Sequence, residues 1–180
     1  MAFKVSSQTQ SAASPGPAAG GNNRKAIYAA IRPQAPSPNT LKGDAEYILE
    51  LVTHKMSRSQ TTTMVHCKVL KAEGENASPK SDEVLQFFIN FGGNAYDPGI
   101  ACIVSLAMAV CGAETVEQFW AEEPHGDELI DIIAGKRVDS QHYGDNPLAG
   151  RKVYAHGVNA EKLGKRNDPF VNWTFGVCAE

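Results

Sequence analysis

Alternation of apolar and polar residues organises most of the chain. Residues 44–53 (DAEYILELVT) place Tyr47, Leu49 and Leu51 on one side and Glu46, Ile48 and Glu50 on the other, the pattern of a strand with one wet face. The next eight residues (HKMSRSQT) are polar and basic and read as a loop. Residues 62–71 (TTMVHCKVLK) then alternate again, with Val65, Cys67 and Val69 inward and His66 and Lys68 outward, which completes a hairpin. Residues 72–81 form a turn by their Gly, Asn and Pro content. They lead into a third strand, 84–91 (VLQFFINF), with Leu85, Phe87, Ile89 and Phe91 inward and Gln86, Phe88 and Asn90 outward.

The pattern changes after Gly92 and Gly93. Asp97 and Pro98 give an N-cap and first-turn signal, and Gly112 a C-terminal stop, for a helix over 98–111. Thr115 and Gln118 fit a capping box that opens a second helix carrying Phe119 and Trp120, and 129–134 form a third, short one. The helical segment therefore spans about 98–135. Strands return at 151–158 (RKVYAHGV) and 170–177 (FVNWTFGV), joined by a basic loop, 159–169, that holds Lys162, Lys165 and Arg166.

Three strands, a helical segment and two strands make the order of an OB-fold, a five-stranded Greek-key barrel with helices between strands three and four. An SH3-like barrel or an α+β sheet would use the same elements. Charge placement favours the OB-fold, because the loops expected to flank its ligand cleft carry Lys55 and Arg58, and Lys162, Lys165 and Arg166. The barrel domain covers 24–180. Residues 1–23, rich in Ser, Gln, Ala, Pro and Gly, have too few large apolar groups to offset ordering entropy and read as a disordered arm. Residues 25–32 (KAIYAAIR) could add a short edge strand before Pro33 stops it.

Composition narrows the function. With 180 residues, 42% hydrophobic and 21% charged, the chain can bury a real core. A net charge of −3 gives no overall sign of an anionic partner, so any basic site must be local. Residues 1–43 hold five basic and no acidic residues, whereas seven acidic residues and no Lys or Arg lie between Glu114 and Asp131. That flank repels phosphate, so a binding face lies elsewhere. The longest apolar run, residues 100–111, falls well short of the ~20 a membrane span needs, and no membrane partner is expected. Cys67, Cys102, Cys111 and Cys178 form no C-x-x-C pair and read as reduced thiols of a cytoplasmic protein. Arg is absent from the first 20 residues, against an organellar transit peptide.

Residues 43–112 and 148–177 resemble phage-encoded single-stranded-DNA-binding proteins of the OB-fold type. The resembling pieces are GDAEYILELVTHKMSRSQTTTMVHCKVL, DPGIACIVSLAMAVCG, LAGRKVYAHG and NDPFVNWTFGV, a little over half the chain. The resemblance implies sequence-tolerant binding and protection of single strands in phage replication or recombination. Such proteins often end in an acidic tail tipped by an aromatic, whereas these residues end Val177-Cys178-Ala179-Glu180, so partner recruitment through a tail is not expected.

Single-strand binding needs cations along the backbone and exposed rings for base stacking. Phe88, beside His66 and Lys68, and Tyr154, beside Lys152 and His156, are the stacking candidates. Lys55, Arg58, Lys68, Lys152, Lys162, Lys165 and Arg166 are the phosphate candidates, with an ordinary solvated loop as the bland alternative for the loop cations. Trp173 and Phe175 share the inward parity of Val171 and Val177 and belong to the core. No catalytic activity is expected: His66 and Cys67 point to opposite faces of a strand, no nucleophile-elbow, Walker or zincin motif occurs, and the five histidines lack i, i+4 metal spacing. Scattered aspartates (97, 127, 131, 139, 145) read as a solvated face rather than a two-metal nuclease. The alternative function is a phage structural or protein-interaction module, marked by an exposed apolar patch without a basic rim. Strand edges of a partly open barrel are where a homodimer would form, and replication or recombination proteins are the further expected partners.

Overall fold

The computed structural model describes residues 39–75, 77–79, 81–136, 141–163 and 169–178. The expected arm at 1–23 and strand at 25–32 lie outside them. Five antiparallel strands, β1 (Ala45–Met56), β2 (Thr62–Glu73), β3 (Ser81–Asn90), β4 (Lys152–Leu163) and β5 (Pro169–Val177), form one sheet in the order β3-β2-β1-β4-β5. Between β3 and β4 lie α1 (Tyr96–Cys111), α2 (Val116–Glu122) and α3 (Gly126–Ile133).

The inward parities hold: Tyr47, Leu49, Leu51, Val65, Cys67, Val69, Leu85, Phe87 and Ile89 are buried with Ile103 and Leu106 of α1 and Leu129 and Ile133 of α3. Two glycines permit the closest approaches. A Cβ on Gly99 would collide with the Asn90 carbonyl oxygen, so the missing side chain lets α1 cross the end of β3 there. Gly157 lies opposite Trp173 in the β4–β5 ladder, and its missing Cβ leaves room for the indole. Trp173 is core as expected, while Phe175 is only partly buried.

Helix ends follow local chemistry with one exception. Thr115 Oγ1 accepts from the Gln118 N–H at 3.1 Å, and Gln118 Oε1 accepts from the Glu114 N–H at 2.9 Å, a capping box shifted back by one residue. Gly112 ends α1 in the left-handed region at φ 79°. Asp97, however, is not the N-cap: the preceding 3₁₀ turn Gly93–Ala95 hands the chain to α1 at Ala95, leaving Asp97 within the first turn. There its charge still suits the helix dipole.

The sheet does not close into a barrel. Its edge strands do converge, since Phe87 of β3 lies 5.3 Å from both the Trp173 and Phe175 rings of β5, but no ladder joins them. At Gln86 the edge of β3 is occupied by the chain entering β1. Gln86 N–H donates to the Asn39 carbonyl and Leu41 N–H to the Gln86 carbonyl, each at 2.8 Å. The buried Tyr47 hydroxyl fixes that segment by donating to the Lys42 carbonyl at 2.9 Å while accepting from Ser78 N–H at 3.0 Å. No single helix among the described residues is long and apolar enough to cross a membrane.

Candidate nucleic-acid interface

Unbroken alternation from Leu51 would turn Lys55 inward and His54 outward. The structure reverses both, because the register of β1 on β2 shifts between Leu51 and Thr53, making Val52 the extra residue of a β-bulge. Asn146 stabilises the bulge by donating from Nδ2 to the Val52 carbonyl at 2.8 Å. Beyond it His54 faces α3 and donates from Nε2 to the Ile132 carbonyl at 3.0 Å, and burial pushes its pKa down. Thr63 Oγ1 likewise donates to the Ile133 carbonyl at 2.7 Å. The hairpin is thereby tied to α3 on its inner side.

Lys55 therefore lies on β1, not in a loop, and is exposed on the outer face. Only residues 57–61 form the connection, where Ser57 N–H donates to the Thr62 carbonyl and Gln60 adopts φ 54°. Arg58 is exposed at its tip beside a chain of hydroxyls, Ser57 to Ser59 at 3.1 Å and Ser59 to Thr61 at 2.8 Å.

Cross-strand pairing sets these groups in rows. Lys55 stands opposite Met64, and Met64 opposite Phe88; in the next row Thr53 stands opposite His66, and His66 opposite Gln86. Directly opposed side chains are about 5 Å apart at Cβ, so the first row joins a cation, a thioether and an aromatic ring. Phe88, Met64 and His66 are half-buried. Lys68 continues the face opposite Glu50, which on its other side meets Lys152 of β4. Among the described residues no carboxylate forms an ion pair with Lys55, Arg58, Lys68 or Lys152.

Tyr154 is placed differently. It stands opposite Ile48, in a shallow depression lined also by Glu46, Lys71 and Glu73. Its pKa is raised by burial and by its hydrogen bond to Glu46, with the charge of Glu73 adding to the effect. Lys71 already pairs with Glu73. Phe88 and Tyr154 thus belong to separate patches of one face.

The expected loop at 159–169 is shorter than its sequence suggests, because β4 runs on to Leu163 and β5 begins at Pro169. Lys162 falls on β4, and its side chain, with all of Lys165 and Arg166, lies outside the described residues. Sequence reasoning missed Met64, although it shares the parity of His66 and Lys68, and missed the hydroxyls of the 57–61 turn. It also missed that His125 and His142, 17 positions apart in the chain, stack with ring centroids 3.4 Å apart.

Burial pushes the thiols of Cys67, Cys102 and Cys111 each up to about 12, with Glu123 adding to the effect at Cys111. Comparison with known proteins found no matching family, no matching curated protein and no matching solved structure.

Proposed function

We propose that this chain binds single-stranded DNA without sequence preference and protects it during phage DNA replication or recombination, acting without catalysis as a partly open OB-type barrel. The observation that carries the proposal is the row Lys55, Met64, Phe88 on the outer face of β1, β2 and β3, extended by Arg58, His66 and Lys68. Unpaired cations beside an accessible ring are what a phosphodiester strand with unstacked bases requires. The strand order, the helices inserted between β3 and β4, and the aromatic contact between the two edge strands support the OB-type reading. In this reading Lys68 and Lys152, on either side of Glu50, extend the phosphate path. Raised thiol pKa values support a binding role over thiol catalysis. The outer edge of β5, which pairs with no strand among the described residues, is where a second copy would add.

A second reading, a phage protein-interaction module, has its own observation. Val116 and Trp120 are 48% and 44% exposed on one face of α2, within a stretch that holds seven acidic and no basic residues. This exposed apolar pair on an acidic stretch is the feature that reading uses.

The deciding experiment is fluorescence anisotropy of a labelled oligo-dT at about 50 and about 200 mM salt, competed with unlabelled duplex. Neutralising three or four phosphates predicts a log-log salt slope of about −2 to −3. Micromolar or tighter binding that duplex displaces poorly is the expected result. Absence of binding at the lower salt overturns the proposal and leaves the α2 surface as the functional face.

A further inference from the structure

The C-terminal half of the helical segment assembles a donor set unrelated to the sheet face. His125 precedes α3, Glu128 lies in its first turn, and the chain after α3 returns His142 against both. Ligand atoms of the three residues all lie within 4.8 Å of one another. The arrangement is held from several sides. Glu128 Oε1 accepts from the Gln141 N–H at 2.9 Å, and Oε2 accepts from His142 Nδ1 at 2.8 Å. One residue further on, the Tyr143 hydroxyl donates to Glu123 Oε2 at 2.8 Å, so the residues on both sides of His142 are anchored.

We propose that His125, Glu128 and His142 form a binding site for one divalent transition-metal ion of the zinc type, with water completing the coordination. Two imidazoles and a carboxylate are borderline donors that suit zinc better than magnesium or calcium. Glu128 Oε2 and His142 Nδ1 stand 2.8 Å apart, near the separation of two donor atoms on one ion, so a metal takes the place of the proton they share while the neutral His142 ring keeps its N–H on Nε2. The ring centroids of His125 and His142 are 3.4 Å apart, with planes 14° from parallel, so the two imidazoles lie side by side. Parallel rings aim their lone pairs in parallel, so binding turns one ring about χ2; both histidines are at the surface, where that rotation costs little. A bound ion would cross-link α3 to the segment carrying Asn146, which holds the β1 bulge.

The test is titration of the full, untagged, reduced chain with Zn2+ against a chromophoric chelator, with Mg2+ as the control ion. The expected result is one equivalent per chain at micromolar or tighter affinity and none of comparable strength for Mg2+. His125→Ala and His142→Ala should each abolish that equivalent, and Glu128→Gln, which removes the anionic ligand, should weaken it by more than about 10-fold, with circular dichroism spectra unchanged. Failure to take up a saturable equivalent of Zn2+ overturns the proposal. Uptake that survives in the double histidine variant overturns it equally, by assigning the metal to the cysteine thiols.

Discussion

Phe88 and Tyr154 both stand half-buried on the outer face of the same sheet, each beside a histidine and a lysine, yet their electrostatic surroundings are opposite. Around Phe88 the cross-strand neighbours are Met64 and, beyond it, Lys55, with Arg58 at the adjoining turn. Around Tyr154 they include Glu46 and Glu73, themselves directly opposed across β1 and β2. Lys71 offsets Glu73 through their ion pair, which leaves Glu46, hydrogen-bonded to Tyr154, as the net negative charge that a phosphate would meet there. In the proposed reading, an outward aromatic beside a lysine marks a stacking platform only where the charge on the neighbouring strands is also positive, and that charge depends on register.

The largest effect should come from the rings themselves. Phe88→Ala should cost about 1–3 kcal/mol of single-strand affinity, the range for one stacked base, with the salt slope unchanged because no charge is removed. Tyr154→Ala should change affinity less than twofold. Equal losses in the two variants, read by oligo-dT anisotropy with circular dichroism as the folding control, would erase the distinction between the patches. The next effect is electrostatic. Lys55→Ala combined with Arg58→Ala should make the log-log salt slope shallower by about 1.4, from ~0.7 per phosphate on a single strand. A slope that stays put would remove the 57–61 turn from the strand's path.

Which parts of this picture were legible in the sequence follows from how far apart the interacting residues lie. Tyr47, Leu49 and Leu51, or Leu85, Phe87 and Ile89, are sorted by their own neighbours, and Thr115 with Gln118 is a contact within one turn. These need only local information. The bulges at Val52 and Leu70 are properties of two strands in register, and nothing within residues 44–53 announces that parity reverses. A hint existed: continued alternation would have buried Lys55, a costly position for an unpaired charge. The open seam is likewise non-local, since it depends on residues 39–41 occupying the edge of β3 at Gln86. Separation in the chain also hid the approach of His125 and His142, whose spacing matches no helical metal motif.

A smaller effect probes the acidic patch. Glu46→Gln removes the hydrogen-bonded carboxylate and with it the net negative charge, so the Tyr154 pKa should fall back towards its ordinary value of 10. This is measurable as a shift to lower pH in the phenolate absorbance titration against Glu46→Gln/Tyr154→Phe. The same substitution should leave oligo-dT affinity within twofold if the strand follows the Phe88 patch. A marked gain in affinity would show that DNA also passes over Tyr154.

The smallest effect concerns the joint that orients the basic patch. His54 is half-buried beside α3, and desolvation depresses its pKa; it donates to Ile132 while its Nδ1 has no partner. In the unfolded chain it titrates near 6.5. Between its folded and unfolded pKa values the unfolded state therefore binds more protons, and stability rises with pH in that window. The contribution is fully present above about pH 6.5 and is lost as pH falls towards the folded value, by a fraction of the ~1.4 kcal/mol per pH unit that one whole proton carries. His54→Gln keeps a donor for the Ile132 carbonyl and removes the titration. Melting temperatures taken between pH 8 and pH 5 should then decline less steeply for the variant than for the parent. Parallel curves would mean that His54 stays accessible to protons in the folded protein and does not carry the pH dependence.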